Sequence, residues 1–363
     1  MEETRYDLNR IHDELDYYLV GTLTAELSRG RLQEFFDRRG RPGSGPDRFL
    51  SRPPPVGTKV TVDFEPYRRE LLAHCYRMLG TPDEAEDVVQ ETYLRALKAY
   101  DRFEGRASVR TWLFRIATNA CLTALEQRAR RPLPSGLGAP ATDPDAPPTP
   151  AEPGDAWPRP IPDALITPES ADPAAIAVAR DGVRLALIAG LQLLPPRQRA
   201  VLILREVLAF PAAEVAEMLG TTVPAVKSTL QRARARLDTG APDGALTEPA
   251  QVALLERYMS AFTTSDLAAL EQLLREDAVI EPVPSRSWFA GKRTCVAFLR
   301  HVIGAPGDWR MTPTRANGHP AAATWHRGEP FGLAVLTPGT GGIARITVFG
   351  FPDLVAKFGG TRP

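Results

Sequence analysis

Between Pro132 and Pro173 the chain is so rich in proline, alanine, aspartate and glycine that it cannot bury enough apolar surface to fold alone. That punctuation divides the chain. The stretch before it, Phe64 to Arg131, is strongly helical in pattern, and so is Asp181 to Leu237 after it. A second breaker, Thr239-Gly240-Ala241-Pro242, leads into a segment that mixes helical spacing with β-rich runs such as Phe331 to Leu336 and Ile343 to Phe349. A weaker helical pattern from Tyr6 to Arg39 and a breaker-rich run from Gly40 to Gly57 come first. The expected division is an extension of unknown role (1–59), a helical block (60–131), a Pro/Ala-rich linker (132–180), a second helical block (181–238) and a mixed domain (247–363).

Composition narrows the function classes. The 44 basic residues balance 44 acidic ones, which argues against a chain that coats nucleic acid by bulk charge. Local charge still decides DNA binding. Cys75, Cys121 and Cys295 are scattered without a CxxC pair, so a thiolate metal site or disulfide framework is not expected. No apolar run approaches the roughly 18 residues of a membrane span. Glu2, Glu3 and Asp7 are unlike the basic opening of a signal peptide. A cytoplasmic protein without membrane contact is the expectation.

Apolar spacing predicts three helices in the first block. The first carries Phe64, Tyr67, Leu71, Cys75 and Met78 and stops at Gly80. The second buries Ala85, Val88, Val89, Thr92, Tyr93, Ala96, Leu97 and Tyr100, with Thr81 as N-cap and Pro82 in the first turn. The third buries Trp112, Leu113, Ile116, Ala117, Ala120, Cys121, Ala124 and Leu125. One stripe per helix makes a small bundle. The second helix starts acidic, with Asp83, Glu84, Glu86, Asp87 and Glu91. The third is basic, with Arg106, Arg110, Arg115, Arg128, Arg130 and Arg131. Helix-dipole complementarity accounts for the acids but not for arginines at a helix start. A basic face interleaved with Trp112, Phe114 and Asn119 suits single-stranded DNA, whose bases stack on aromatics while cations hold phosphates.

The string from Asp83 to Leu97, followed by Phe103 and by Thr111-Trp-Leu-Phe-Arg-Ile-Ala-Thr-Asn-Ala-Cys, resembles the second conserved region of ECF-class sigma factors. The resemblance implies that the acidic helix docks on the β′ clamp helices of RNA polymerase core, with Asp83, Glu84, Asp87, Gln90 and Glu91 as contact candidates. It implies that Arg110, Trp112, Arg115 and Asn119 lie in the segment that melts and reads the −10 promoter element, with Asn119 meeting a flipped base.

In the second block, Val183, Leu187, Leu191 and Leu194 predict a helix ended by Pro195-Pro196, followed by another from Arg197 to Leu208. A short helix with Val215, Ala216 and Leu219 then meets a glycine turn at Gly220. The last helix is capped by Thr222 and buries Val226, Leu230, Ala233 and Leu237. This is the helix-turn-helix order. The outer face of the last helix carries Lys227, Ser228, Thr229, Gln231, Arg232, Arg234 and Arg236, with no acid between Glu217 and Asp238. Polar side chains for base edges and cations for phosphates are what a recognition helix needs. Leu194-Pro-Pro-Arg-Gln-Arg-Ala-Val-Leu-Ile-Leu-Arg-Glu-Val resembles the start of the fourth sigma region, which implies −35 contacts from Lys227, Ser228, Gln231 and Arg232, and the β flap as a further core surface. Trp157-Pro-Arg-Pro-Ile-Pro-Asp-Ala-Leu resembles a motif found between the two sigma regions in such factors with C-terminal extensions. That linker either threads towards the polymerase active-site channel or acts as a stiff spacer.

In the last segment, Val252, Leu255, Tyr258, Met259 and Phe262 predict one helix and Leu267, Leu270, Leu273 and Leu274 another. A strand at Val279 to Val283, a helix at Cys295 to Ile303 and four β-like runs follow, which reads as α+β. Leu255-Glu-Arg-Tyr-Met-Ser-Ala-Phe, Glu276-Asp277-Ala-Val and Trp288-Phe-Ala-Gly-Lys resemble a SnoaL-like cone, whose apolar pocket could take a small molecule of unknown identity. Some cones are cyclases or isomerases, and Asp277, His301, His319 and His326 are the residues such chemistry could use. Nothing in their spacing demands it, and no HExxH motif is present. The expected architecture is two all-α sigma domains followed by an α+β cone. The expected function is promoter-directed initiation by polymerase, modulated by the cone, with no catalytic residues, cofactor or metal. The rival readings are a SnoaL-like enzyme with an attached DNA-binding module, and an operator-binding repressor; neither needs the acidic helix together with the basic one.

Overall fold

The structure, a computed structural model, describes residues 64–359 apart from 104, 106, 127–129, 168–175, 177–178 and 238–245. The expected extension 1–59, Arg106 and Arg128 lie outside the described residues. Two compact units are formed.

The helical unit joins both helical blocks. Helix α1 (Arg68–Leu79) ends at Gly80, whose φ of 81° suits a residue without Cβ and lets its N–H reach Tyr76 O at 2.8 Å. Helix α2 (Pro82–Ala99) starts with proline in its first turn, and the Thr81 hydroxyl makes no capping bond. Helix α3 (Val109–Leu125) is capped by Ser108 Oγ, which accepts from the Thr111 N–H at 3.0 Å. After it come α4 (Leu185–Leu193) and α5 (Pro196–Leu202), the latter continuing into a π-helical turn over Ile203–Val207. Helix α6 (Ala212–Met218) and α7 (Val223–Leu237) flank the turn at Gly220. Thr222 Oγ1 accepts from the Ala225 N–H at 3.3 Å, in the expected capping role.

Several side chains depart from the expected stripes, among them Val252, which is 47% exposed. Leu97 is 56% exposed, because the buried line of α2 runs through Ala85, Val89, Thr92 and Ala96, one step round the helix. Phe114 is fully buried and does not share the outer face with Trp112 and Asn119. In α4 the buried positions are Leu185, Ile188 and Leu191, and Leu187 is only half-buried.

The second unit is the α+β domain together with residues 131–163. Helices α8 (Glu248–Thr263) and α9 (Leu267–Leu273) lead into strand β1 (Leu274–Val283), so Leu274 opens a strand instead of closing a helix. Strand β2 (Phe289–Ala290), α10 (Lys292–Val302), β3 (Trp309–Ala316), β4 (His319–His326), β5 (Glu329–Gly339), β6 (Gly342–Phe349) and α11 (Asp353–Lys357) follow. The sheet runs β2-β1-β6-β5-β4-β3, with β1 and β6 parallel and all other neighbours antiparallel. Side chains alternate across it. One set, including Ile280, Ala334, Leu336 and Ile346, joins Leu255, Tyr258, Phe262, Cys295 and Leu299 in a single apolar cluster.

The Pro/Ala-rich stretch finds its partners on this domain. Ser135 N–H donates to Glu281 Oε1 at 3.0 Å, and Trp288 Nε1 donates to Gly138 O at 2.8 Å. Arg286 N–H donates to Thr149 O, and its guanidinium pairs with Asp155 and Glu152. Arg159 pairs with Asp353 at 2.6 Å and lies over the Phe351 ring. Ile161 exchanges bonds with Asn317, and Asp163 accepts from Gly318 N–H and from Arg315. Leu133, Trp157 and Ile161 are buried. A segment without a core of its own is ordered by borrowing one, and its polar groups are satisfied by the borrowed surface.

Candidate polymerase and nucleic-acid interface

On α2, Asp83, Asp87, Gln90 and Glu91 are exposed and recur at helical spacing along one face, with Glu84 half-buried beside them. Leu94 and Leu97 continue that outer surface at 58% and 56% exposure. Sequence reading missed these two leucines as surface features. The available signal was that Leu94 stands outside the stripe of Ala85, Val89, Thr92 and Ala96. An acidic patch running into exposed leucines suits a basic, partly apolar protein partner. Glu91 is braced by Arg95 at 2.7 Å, an exposed i,i+4 pair of small energetic weight.

Helix α3 places Arg115 and Asn119 on its exposed side, four residues apart. Trp112 is half-buried and packs on Phe103, with ring centroids 4.7 Å apart, and more loosely on Tyr100. Arg110 is committed elsewhere: it makes a bidentate pair with Glu70, and its guanidinium lies 4.4 Å from the Phe210 ring centroid and 5.0 Å from that of Phe114. Beneath α3, His74 donates from Nε2 to Thr118 Oγ1 at 3.0 Å, because the Thr118 hydroxyl proton is given to Phe114 O. His74 Nδ1 meets no hydrogen-bond partner among the described residues. Burial, then Arg77 and Arg110, hold this imidazole neutral by lowering its pKa to about 3.

Helix α7 presents Lys227, Ser228, Gln231 and Arg232, all exposed, while Val226, Leu230, Ala233 and Leu237 are buried. The four polar side chains fall at i, i+1, i+4 and i+5, one continuous patch on the solvent side. Arg234, next along the helix, pairs with Glu206.

The residues that cone chemistry could use are dispersed. Asp277 is exposed and paired with Arg275 at 2.8 Å. His301 is exposed and meets Asp145 at 2.7 Å. His319 and His326 occupy opposite ends of β4, roughly 23 Å apart at the rise of a strand. Inside the domain, burial pushes the Cys295 thiol up to about 12 and raises the Tyr258 phenol, so neither ionises near neutrality. Among the described residues no group of three or more His, Cys, Asp or Glu could hold a metal, and no helix is long and apolar enough to cross a membrane.

Comparison with known proteins agrees with this layout. Residues 64–131 match Sigma-70 region 2, residues 184–237 match Sigma-70 region 4, and residues 255–352 match a SnoaL-like domain. The ECF RNA polymerase sigma factor SigG of Mycobacterium tuberculosis is 47% identical over 306 residues, covering 81% of this chain and 82% of its own. SigJ of the same organism is 32% identical over 224 residues, covering 59% of this chain and 62% of its own. The crystal structure of M. tuberculosis SigJ shares the fold with a TM-score of 0.54 at 23% identity, over 81% of this chain and 97% of that one. Two sigma regions and a following SnoaL-like domain, in a chain so similar to SigG over most of its length, have one reading: the chain belongs to the ECF family of RNA polymerase sigma factors, which bind polymerase core and promoter DNA to initiate transcription.

Proposed function

We propose that the outer face of α2 docks on the β′ clamp helices, that the region containing α4–α7 meets the β flap, and that α3 and α7 read the −10 and −35 elements. Asp83, Glu84, Asp87, Gln90 and Glu91 supply the polymerase contact. Arg110, Trp112, Arg115 and Asn119 serve the −10 element, and Lys227, Ser228, Gln231 and Arg232 the −35 element. The observation that carries this is the coincidence on α2 of an acidic face with exposed Leu94 and Leu97, a surface left open among the described residues. Such a factor works in the cytoplasm, beside the chromosome.

The cone modulates promoter use by holding the strap, residues 131–163. This segment joins the two sigma regions along the chain, and its pairing with Glu281, Arg286, Asp353, Asn317 and Arg315 shortens the free tether between them. A small-molecule ligand of the cone would act by changing its grip on the strap, and only through unequal affinity for the held and released forms.

Charge reversal tests the docking face. The D87K/E91K double variant loses co-purification with core polymerase while keeping its helical circular dichroism. Loss of a desolvated interfacial charge pair commonly costs about 2–5 kcal/mol. Undiminished co-purification refutes the assignment.

A further inference from the structure

Beside the polar patch of α7 stands an arginine whose head is fixed. The Arg234 side chain is 53% exposed, and its Nη2 donates to Glu206 Oε1. The Glu206 side chain is only 8% exposed. The pair joins a buried carboxylate to a half-open guanidinium, and α7 to the turn that follows α5.

Local structure holds that carboxylate in place. Glu206 belongs to the π-helical turn Ile203–Val207, where the Leu208 N–H reaches back five residues to Ile203 O at 2.9 Å. Such turns are rare and recur at functional sites. The chain then passes through Ala209 at φ 56°, a left-handed conformation uncommon for a residue with a side chain. The Phe210 N–H donates to Leu204 O at 2.9 Å, and Arg205 donates to Phe210 O, so the bend is bonded on both sides. Ile203, Leu204, Val207 and Leu208 are buried. The carboxylate is therefore carried on a packed bend.

Helix geometry places its partner. Val226, Leu230, Ala233 and Leu237 mark the buried side of α7. Lys227 and Arg234 are seven residues apart, close to two full turns, so they share one flank of the exposed face about 10 Å apart along the axis. A helix lying in a groove reads base edges from its outermost line and meets the backbone at its flanks. A buried ion pair is weak ground for net stability, because desolvation offsets the attraction. This one also lowers the positive charge of the region by one. What it supplies is orientation: a planar guanidinium gripped at one nitrogen keeps its other donors aimed at a fixed angle.

We infer that Arg234 is a further contact to a phosphate of the −35 element, on the same flank as Lys227, and that Glu206 is the positioning residue that holds its guanidinium for that contact. The carboxylate accepts from one part of the guanidinium, and the phosphate accepts from the donors that face solvent. The inference rests on the assignment of α7 to the −35 element.

A phosphate-neutralisation scan tests it on holoenzyme, the full chain with polymerase core. A promoter is selected from a random DNA library by the wild-type holoenzyme, and each phosphate of its −35 element is replaced in turn by an uncharged methylphosphonate. Wild-type affinity falls about three- to tenfold at a few positions. Arg234→Ala becomes insensitive at one of them, keeps its response at the others, and shows a salt slope shallower by about one. Glu206→Gln, which keeps size and leaves no buried charge behind, loses sensitivity at that same phosphate alone. A residue that only supported the fold would weaken every position together. Lys227→Ala is the reference, with its own change in the scan. An Arg234→Ala scan identical to wild type, while Lys227→Ala alters it, overturns the inference and leaves the −35 assignment standing. A wild-type scan flat at every phosphate, with Lys227→Ala also without effect, overturns that assignment and the inference with it. A Glu206→Gln scan identical to wild type, or weakened uniformly, overturns the positioning role. Should Arg234→Ala fail to fold by circular dichroism, Arg234→Gln and Glu206→Gln carry the same test.

Discussion

Helices α3 and α7 look alike as sequences: each is a basic helix of about four turns with an apolar stripe and a polar face. Their surroundings differ. The polar face of α7 is open from Lys227 to Arg232, whereas α3 has Arg110 over Phe210, Thr111 on Glu214 and Arg115 beside Glu217. The face proposed for the −35 element is open, whereas the one proposed for the −10 element is engaged at Arg110, Thr111 and Arg115 and open at Asn119. The contrast teaches that composition specifies what a helix can bind, while the neighbours it packs on specify when.

The largest effect that can break this contrast is at Arg199. It is buried, and its donors tie α1 to the region that covers α3. Arg199→Met removes those donors from several buried carbonyls, and the helical unit should lose about 1–3 kcal/mol for each buried acceptor left unmet, read in urea denaturation. Amide exchange in α3 should rise more than in α7. An unchanged midpoint with unchanged α3 protection would mean that the cover is incidental.

The readers themselves come next. Lys227→Ala should weaken −35 binding by about 1–3 kcal/mol if the side chain reaches a base, or reduce the salt slope by about one if it meets only phosphate. Asn119→Ala should leave −35 binding intact and impair strand opening. Normal permanganate reactivity at −10 in Asn119→Ala would remove that residue from the reader.

The smallest effect per step is a pH dependence confined to the α3 side. The α7 stripe of Val226, Leu230, Ala233 and Leu237 contains nothing that titrates, while α3 packs on neutral His74. The folded pKa of about 3 lies below the unfolded value of about 6.5. The unfolded chain therefore takes up a proton that the folded chain refuses, and stability falls as pH drops below about 6.5, by ~1.4 kcal/mol per unit until about pH 3. His74→Leu should flatten this slope in urea melts between pH 6.5 and 5.5. An identical slope in the variant would assign the effect to other groups.

Much of the architecture was legible without coordinates. Period-3.6 stripes place α1 to α3, the proline and glycine punctuation marks the helix ends, and the order of short helix, Gly220 and longer helix announces the helix-turn-helix. Strand positions in the cone follow from β-rich runs, with errors at edges such as Leu274, where an apolar residue fits a helix end or a strand start equally well. The outward polar set of α7 was readable because no acid interrupts it.

What the sequence by itself determined, then, is the set of local elements, the faces they can bury and the chemistry of their outer surfaces, because these depend on neighbours within a turn or two. Tertiary structure alone decided which outer residues are free. Phe114 reads as an exposed aromatic beside arginines, yet it is buried by Phe210, 96 positions away. Leu97 reads as core, yet it is 56% exposed among the described residues. The Pro/Ala-rich strap has no periodicity to betray its docking, since its order comes from single hydrogen bonds and ion pairs to a domain more than a hundred residues further on. Contacts of that range leave no mark in a local pattern, because the chain separation between partners is arbitrary and only the fold brings them together.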